Sequence, residues 1–235
     1  MGTRVGLLMV GHVPDASRHI AGDYPELFAT LLRGHAVELV PYQIDEGSFP
    51  ESVDECDAWL CSPSADSTFD ALPWRADAEA LLREIVARER PFVGICFGHQ
   101  LMAQALGAEV SRSDLGWQLG VQDYDVLRRV PSVPDRLVTP LALIASHRDQ
   151  VQSVPDGAAL MARTEGCPIA GLAIGERAWT LQPHPEFTAA LAGDILAGRG
   201  ARLGNEVVRD ARASLDRPTD SSVVAGWMAA TLTSR

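Results

Sequence analysis

The chain has 235 residues, 46% of them hydrophobic, and a formal net charge of -11 from 20 Lys+Arg against 31 Asp+Glu. That supplies a sizeable core for a single domain over residues 1–235. The acidic balance excludes a protein that grips a nucleic-acid backbone or an anionic membrane surface through clustered cations, and leaves a small molecule or another protein as partner.

In chain order, RVGLLMV (4–10) is a continuous apolar run and reads as a strand buried on both faces. A loop over 11–23 leads to YPELFATLLR (24–33), whose Leu27, Phe28, Leu31 and Leu32 have helical spacing, and then to the alternating strand AVELVPY (36–42). DAWLCS (57–62) is a short strand, and 75–89 is a helix with Ala78, Leu81, Leu82, Ile85 and Val86 on one face. PFVGI (91–95) is a strand, followed by a helix over 97–107 that Gly107 closes. Strands separated by helices imply a parallel sheet covered on both sides.

From 108 to 182 the pattern changes to short strands at 108–110, 120–127, 141–146, 158–164, 169–175 and 177–182, expected to be antiparallel, with turns at PDG (155–157) and GER (175–177). Helices return at 188–199, 204–215 and 221–232. The expected fold is α/β, a three-layer αβα arrangement of the flavodoxin-like kind, with a mainly parallel central sheet and an additional small antiparallel sheet.

Four cysteines, Cys56, Cys61, Cys96 and Cys167, form no CxxC pair. They suit a reducing compartment better than a disulfide scaffold, and they offer no structural-zinc spacing. No uncharged stretch of about 18 residues is present, so a cytoplasmic protein away from the membrane is expected.

Cys96 stands apart from the other three. Gly94-Ile95-Cys96-Phe97-Gly98 lies between a strand and a helix and has the G-x-nucleophile-x-G form of a nucleophile elbow. The glycines let backbone pass close to the turn, and the helix N-terminus favours a thiolate. A thiol nucleophile needs a base, and the base needs an orienting group. The histidines are His12, His19, His35, His99, His147 and His184. His99 is directed by the helix that starts at the cysteine, and His35 reads as a surface cap. His184, in LQPHPEF after a strand, has a carboxylate two residues on at Glu186, on the same side of extended backbone, with Pro183 and Pro185 stiffening the segment.

GICFGHQ and QPHPE together resemble the two signatures of the class I glutamine amidotransferases. GDYPELF, LPW, SHRDQV, HPEFT and ASLDRPTD resemble, more narrowly, a stand-alone branch similar to the amidotransferase half of GMP synthase. The resemblance implies that Cys96 attacks the side-chain amide of glutamine, that His184 shuttles the proton and that Glu186 orients His184. The products would be a glutamyl thioester and ammonia, with glutamate released by water. It implies one oxyanion donor in the N–H of Phe97 and substrate contacts from Gln100, Ser146, His147 and Asp149. It calls for no metal or cofactor.

Two departures stand out. The family's Gly-containing turn after the third strand, source of the second oxyanion donor, is here LCSPSADSTFDALPW (60–74), with Pro63 at the glycine's place. Proline has no N–H to give, so the donor is Ser64, or the loop is shifted, or the site is weaker. Gln118 stands where relatives often carry Glu, and no consequence follows from the sequence.

The chain contains no P-loop or other nucleotide-binding fingerprint. Ammonia would therefore pass to a separate synthase subunit or be released. Hydrolysis of other γ-glutamyl amides or peptides is the related alternative. A binding or regulatory module that keeps the fold without efficient chemistry is the alternative of another class. Trp117 and Trp227 are expected in the core, with an interface as the second use.

Overall fold

Thr3–Met9, whose last five residues are buried, forms the first strand, β1, of a computed structural model that describes residues 2–129 and 139–234. In chain order follow α1 (Arg18–Ala21), α2 (Tyr24–Leu31), β2 (Val37–Gln43), β3 (Ala58–Cys61), α3 (Arg75–Ala87), β4 (Phe92–Ile95) and α4 (Phe97–Ala105). Next come β5 (Val110–Arg112), β6 (Gln118–Val126), β7 (Leu141–His147), β8 (Asp149–Val151), β9 (Ala158–Thr164), β10 (Cys167–Ile174) and β11 (Ala178–Leu181). Helices α5 (Ala189–Leu203), α6 (Asn205–Ser214) and α7 (Ser221–Leu232) complete the order.

One nine-stranded sheet runs β2-β1-β3-β4-β11-β10-β9-β6-β7, and β5 pairs with β8 in a separate two-stranded sheet. The first five strands are parallel, and the pairs from β11 onward are antiparallel. The central strands β3, β4 and β11 are buried at every position. Their alternating side chains therefore feed two cores. On one face Leu7, Leu60, Val93 and Leu181 pack with Phe28 of α2, Leu191 of α5 and Met228 of α7. On the other, Trp59, Phe92 and Leu172 pack with Leu82 and Ile85 of α3 and Leu101 of α4. This is the expected three-layer αβα fold, and β5–β8 is its small antiparallel sheet.

Several elements differ in detail from the sequence reading. The segment 177–182, grouped with the antiparallel strands, forms β11, which is antiparallel to β10 but parallel to β4, with Leu181 opposite Ile95. The loop over 11–23 contains α1, and Asp149–Val151 forms a strand that has no periodic signal because it is three residues long. The start of α2 is fixed by a capping box in which Asp23 and Glu26 satisfy each other's backbone N–H groups.

The register also explains what lies near Cys96. β4 is flanked by β3 and β11, with Cys61 opposite Gly94 and Leu181 opposite Ile95. The Pro63 loop, Cys96 and His184 therefore all leave the carboxyl edge of the parallel strands, where ligands bind in open α/β sheets.

Candidate active site

Cys96 has φ +52° and ψ -101°, a left-handed conformation that costs a non-glycine residue about 1–2 kcal/mol. Its neighbours hold it there. A Cβ on Gly94 would lie 2.7 Å from the Gly98 carbonyl oxygen, and one on Gly98 would lie 2.7 Å from that of Cys61. The two glycines thus let the elbow close on itself and on β3. The Cys96 N–H donates to the Leu181 carbonyl at 2.8 Å, and its carbonyl accepts from the Gln100 N–H at 3.1 Å. Phe97 is the first residue of α4, where an N–H has no intrahelical acceptor.

His184 follows β11 and is anchored by its own N–H, which donates to the Ile144 carbonyl of β7 at 2.8 Å. Its ring stacks on Phe187, with centroids 4.0 Å apart and planes at 15°. Nδ1 lies 2.7 Å from Glu186 Oε1, and the two side chains are 3% and 0% exposed. Nε2 is buried without a hydrogen-bond partner among the described residues. Burial opposes a charge on this ring, but the nearby Cys96 and Glu186 outweigh it and raise its pKa above the ordinary imidazole value. The structure thus brings Cys96, His184 and Glu186 together, with one imidazole nitrogen tied to a carboxylate and the other uncommitted.

A further contact to the sulfur comes from Gln182, fully buried, whose Nε2 lies 3.5 Å from Cys96 Sγ. Its Oε1 accepts from Gln100 Nε2 at 3.0 Å, and the same Gln100 nitrogen donates to the Asp149 carbonyl at 2.8 Å. Sequence reasoning gave Gln182 no role. It stands one residue beyond the Leu181–Ile95 pair, level with Cys96, a placement that depends on the β11–β4 pairing and left no signal in the sequence.

Above Cys96 opens a cavity of about 330 Å³ whose wall includes Ser64, Gln100, Ser146, His147 and Asp149. Phe97, His184 and Glu186 are not on that wall. The Ser146 hydroxyl accepts from Arg199 Nη1 at 3.2 Å. His147 is buried with Nδ1 3.3 Å from the Asp149 carbonyl and Nε2 without a hydrogen-bond partner among the described residues. Burial, helped by the His184 charge, pushes its pKa down to about 3, so it is a neutral ring. The Asp149 carboxylate accepts from the Ser67 hydroxyl and lies 3.6 Å from Arg112 Nε.

At Pro63 the missing N–H is followed by an available one. The Ser62 hydroxyl accepts from the Val10 N–H and donates to the Pro63 carbonyl, both at 3.0 Å, which ties the loop to the end of β1. Among the described residues the Ser64 N–H has no acceptor, while the Ser64 hydroxyl is shared with Asp66.

Of the remaining histidines, His35 is exposed, His19 Nδ1 lies 2.8 Å from the Ala16 carbonyl, and the other two are held elsewhere. His99 is fully buried, 2.7 Å from Thr180 Oγ1 and 3.1 Å from the Ile169 carbonyl. His12 lies between Asp23 and Asp45 at 2.6 and 3.2 Å. Trp227 is buried in the core, whereas Trp117 is 37% exposed and stands on the cavity wall with the Arg199 guanidinium 5.5 Å above its ring. Ser67, Arg112, Arg148 and Arg199 also line the cavity; Arg148 lies inside SHRDQV and Ser67 inside the 60–74 loop, but the sequence assigned a role to none of the four. Gln118 packs against Gly166, where any Cβ would strike its side chain.

Residues 27–198 match the family model described as glutamine amidotransferase class-I. Gamma-glutamyl peptidase 3 of Arabidopsis thaliana is 23% identical, over 74% of this chain and 73% of its own. A glutamine-hydrolyzing GMP synthase of Clostridium acetobutylicum is 30% identical over 74% of this chain, which spans only 33% of that enzyme. A solved glutamine amidotransferase from Thermotoga maritima superposes with a TM-score of 0.72 at 20% identity, covering 100% of both chains. With that match running from α2 into α5 across the elbow and the His-Pro-Glu segment, the chain belongs to the class I glutamine amidotransferase family.

Proposed function

We propose that this protein is a cysteine amidohydrolase that opens the γ-amide bond of glutamine or of a larger γ-glutamyl compound. Cys96 is the nucleophile, His184 the proton shuttle and Glu186 its orienting carboxylate. The observation that carries the reading is the buried His184–Glu186 pair with Nε2 uncommitted beside a thiol held on a strained elbow.

In the first half-reaction the Cys96 proton passes to His184 Nε2, and Sγ bonds to the γ-carbonyl carbon. The tetrahedral oxyanion takes hydrogen bonds from the N–H groups of Phe97 and Ser64. The C–N bond then breaks, and His184 returns the proton to the departing amine. In the second, water loses a proton to His184 and attacks the thioester, giving glutamate and the free thiol. The substrate's charged amino-acid end sits among Ser146, Asp149 and two cations, Arg112 and Arg148. His147 and Gln100 complete that wall.

When glutamine is the substrate the amine is ammonia, delivered to a separate synthase subunit or released. A cytoplasmic setting fits four unpaired, buried cysteines. Among the described residues no helix is long and apolar enough to cross a membrane. The test is glutamate release from glutamine and a panel of γ-glutamyl amides by the wild-type protein and Cys96→Ser. Residual turnover of any panel member by Cys96→Ser at the wild-type rate overturns the reading.

A further inference from the structure

A second cavity, of about 400 Å³, adjoins the candidate site, and Ala65, Trp117 and Arg199 belong to the walls of both. The two differ in chemistry. Around Cys96 the wall is rich in groups suited to a zwitterion, with Arg112, Arg148 and Asp149 on it. The second is walled largely by carbon, from Pro14, Ala16, Ile195, Gly198 and Leu203. Glutamine needs only the first: its amino-acid end is met by charges, and its leaving group, ammonia, fills no apolar space.

We infer that the second cavity seats the leaving amine of a larger substrate, and that the substrates this chain turns over best are γ-glutamyl amides whose amine portion is apolar. This rests on the proposed hydrolase reading and sharpens it to a substrate class. The γ-carbonyl must reach Cys96 with the charged end among Arg112, Arg148 and Asp149. The amine substituent then leaves the carbonyl toward the remaining side, the Trp117–Arg199 partition. Indole and guanidinium faces at that partition suit an alkyl or aryl group passing over them. The chemistry is unchanged: Sγ–C forms, C–N breaks, and the apolar amine departs with the proton from His184.

Gly198 offers the test. It lies on α5 in the lining of the second cavity, is exposed, and an added Cβ there meets no atom within 4 Å, so a larger side chain is tolerated at the cavity without displacing the helix. Glutamine and γ-glutamylphenethylamide, whose leaving amine carries an aryl group and no carboxylate, are compared by glutamate release. The wild type is expected to favour γ-glutamylphenethylamide by about tenfold or more in kcat/KM. Gly198→Phe should remove that preference and leave glutamine turnover within twofold. Ala16→Trp, at another residue of the cavity's lining, should do the same.

Equal use of both substrates by the wild type, or variants that depress both alike, would overturn the inference while the hydrolase reading stands. If neither compound is hydrolysed, the hydrolase reading fails, and calorimetry separates the two claims. Binding of γ-glutamylphenethylamide that Gly198→Phe abolishes would support the cavity assignment, and absence of binding would overturn that as well.

Discussion

Glu186→Gln isolates the role of the buried carboxylate, because the side chain keeps its shape and loses only its charge. The 2.7 Å contact to His184 Nδ1 joins side chains that are 0% and 3% exposed, so solvent cannot replace what is lost. Gln still offers an oxygen to Nδ1–H, so what is lost is the difference between a hydrogen bond to a charged partner, about 1.5–3 kcal/mol, and one to a neutral partner, about 0.5–1.5 kcal/mol, or about 1–1.5 kcal/mol. Acting on the imidazolium formed as Cys96 gives up its proton, that loss raises the barrier by the same amount. At about 1.4 kcal/mol per decade this is a loss of about 5- to 12-fold in kcat/KM. The pH profile should move as well. Cys96 and Glu186 both raise the His184 pKa against the opposing effect of burial. Without the carboxylate charge, loss of the His184 proton shifts to lower pH, and any activity limb governed by that proton shifts with it. Glutamate release across a pH series, with thermal melting to establish folding, makes the measurement. A folded Glu186→Gln protein within threefold of wild type, with an unmoved profile, would refute the assignment.

Two further outcomes follow from the same geometry. Ser64→Pro removes the proposed second oxyanion N–H and should lower kcat by about 10²–10³, whereas Ser64→Ala, which keeps that N–H, should stay within a fewfold of wild type by steady-state kinetics. His99 and His147 are buried neutral rings, their pKa values pushed down by burial to about 4 and about 3, against about 6.5 in an unfolded chain. The unfolded state therefore takes up protons below pH 6.5 that the folded state refuses. Stability should fall as pH drops from 6.5 toward 4, by about 1.4 kcal/mol per pH unit for each ring. Urea unfolding of His99→Gln over that range should show a slope shallower by one ring's share, whatever the variant's overall stability.

The parts of the site legible in the sequence are those in which neighbours along the chain are neighbours in space. The elbow is local, since Gly94 and Gly98 meet each other across Cys96, and so is the His184–Glu186 pair, set by extended backbone at i and i+2. The parallel half of the sheet was legible for a related reason, because continuous apolar strands alternating with amphipathic helices admit few arrangements. What escaped depends on strand order. Nothing in the periodicity of 177–182 says that β11 inserts beside β4, yet that pairing brings Gln182 level with Cys96. Arg112, Trp117 and Arg199 reach one cavity from β5, the approach to β6, and α5. Single polar residues far apart in sequence leave no pattern to read.

The Pro63 departure has a structural counterpart on the neighbouring strand. Ser64 sits directly on Gly11, just past the end of β1: a Cβ at residue 11 would lie 2.3 Å from Ser64 Oγ, 2.7 Å from its Cβ and 3.0 Å from its Cα. The room that lets the Ser64 backbone lie where it does is thus provided by a glycine on β1's loop instead of one on β3's. Gly11→Ala makes this testable. The hydroxyl can rotate away, but Cβ and Cα cannot move without the loop, so the Ser64 N–H must shift by several tenths of an ångström. A misplacement of about 1 Å in a catalytic group can cost about 10²-fold, so a loss of about tenfold in kcat is expected for a shift of this size. Gly11→Ala combined with Ser64→Gly relieves the two shortest contacts and should recover part of the loss, whereas Ser64→Gly alone should stay close to wild type. Wild-type kcat in Gly11→Ala, or no recovery in the double variant, would show that the Ser64 N–H does not serve the reaction.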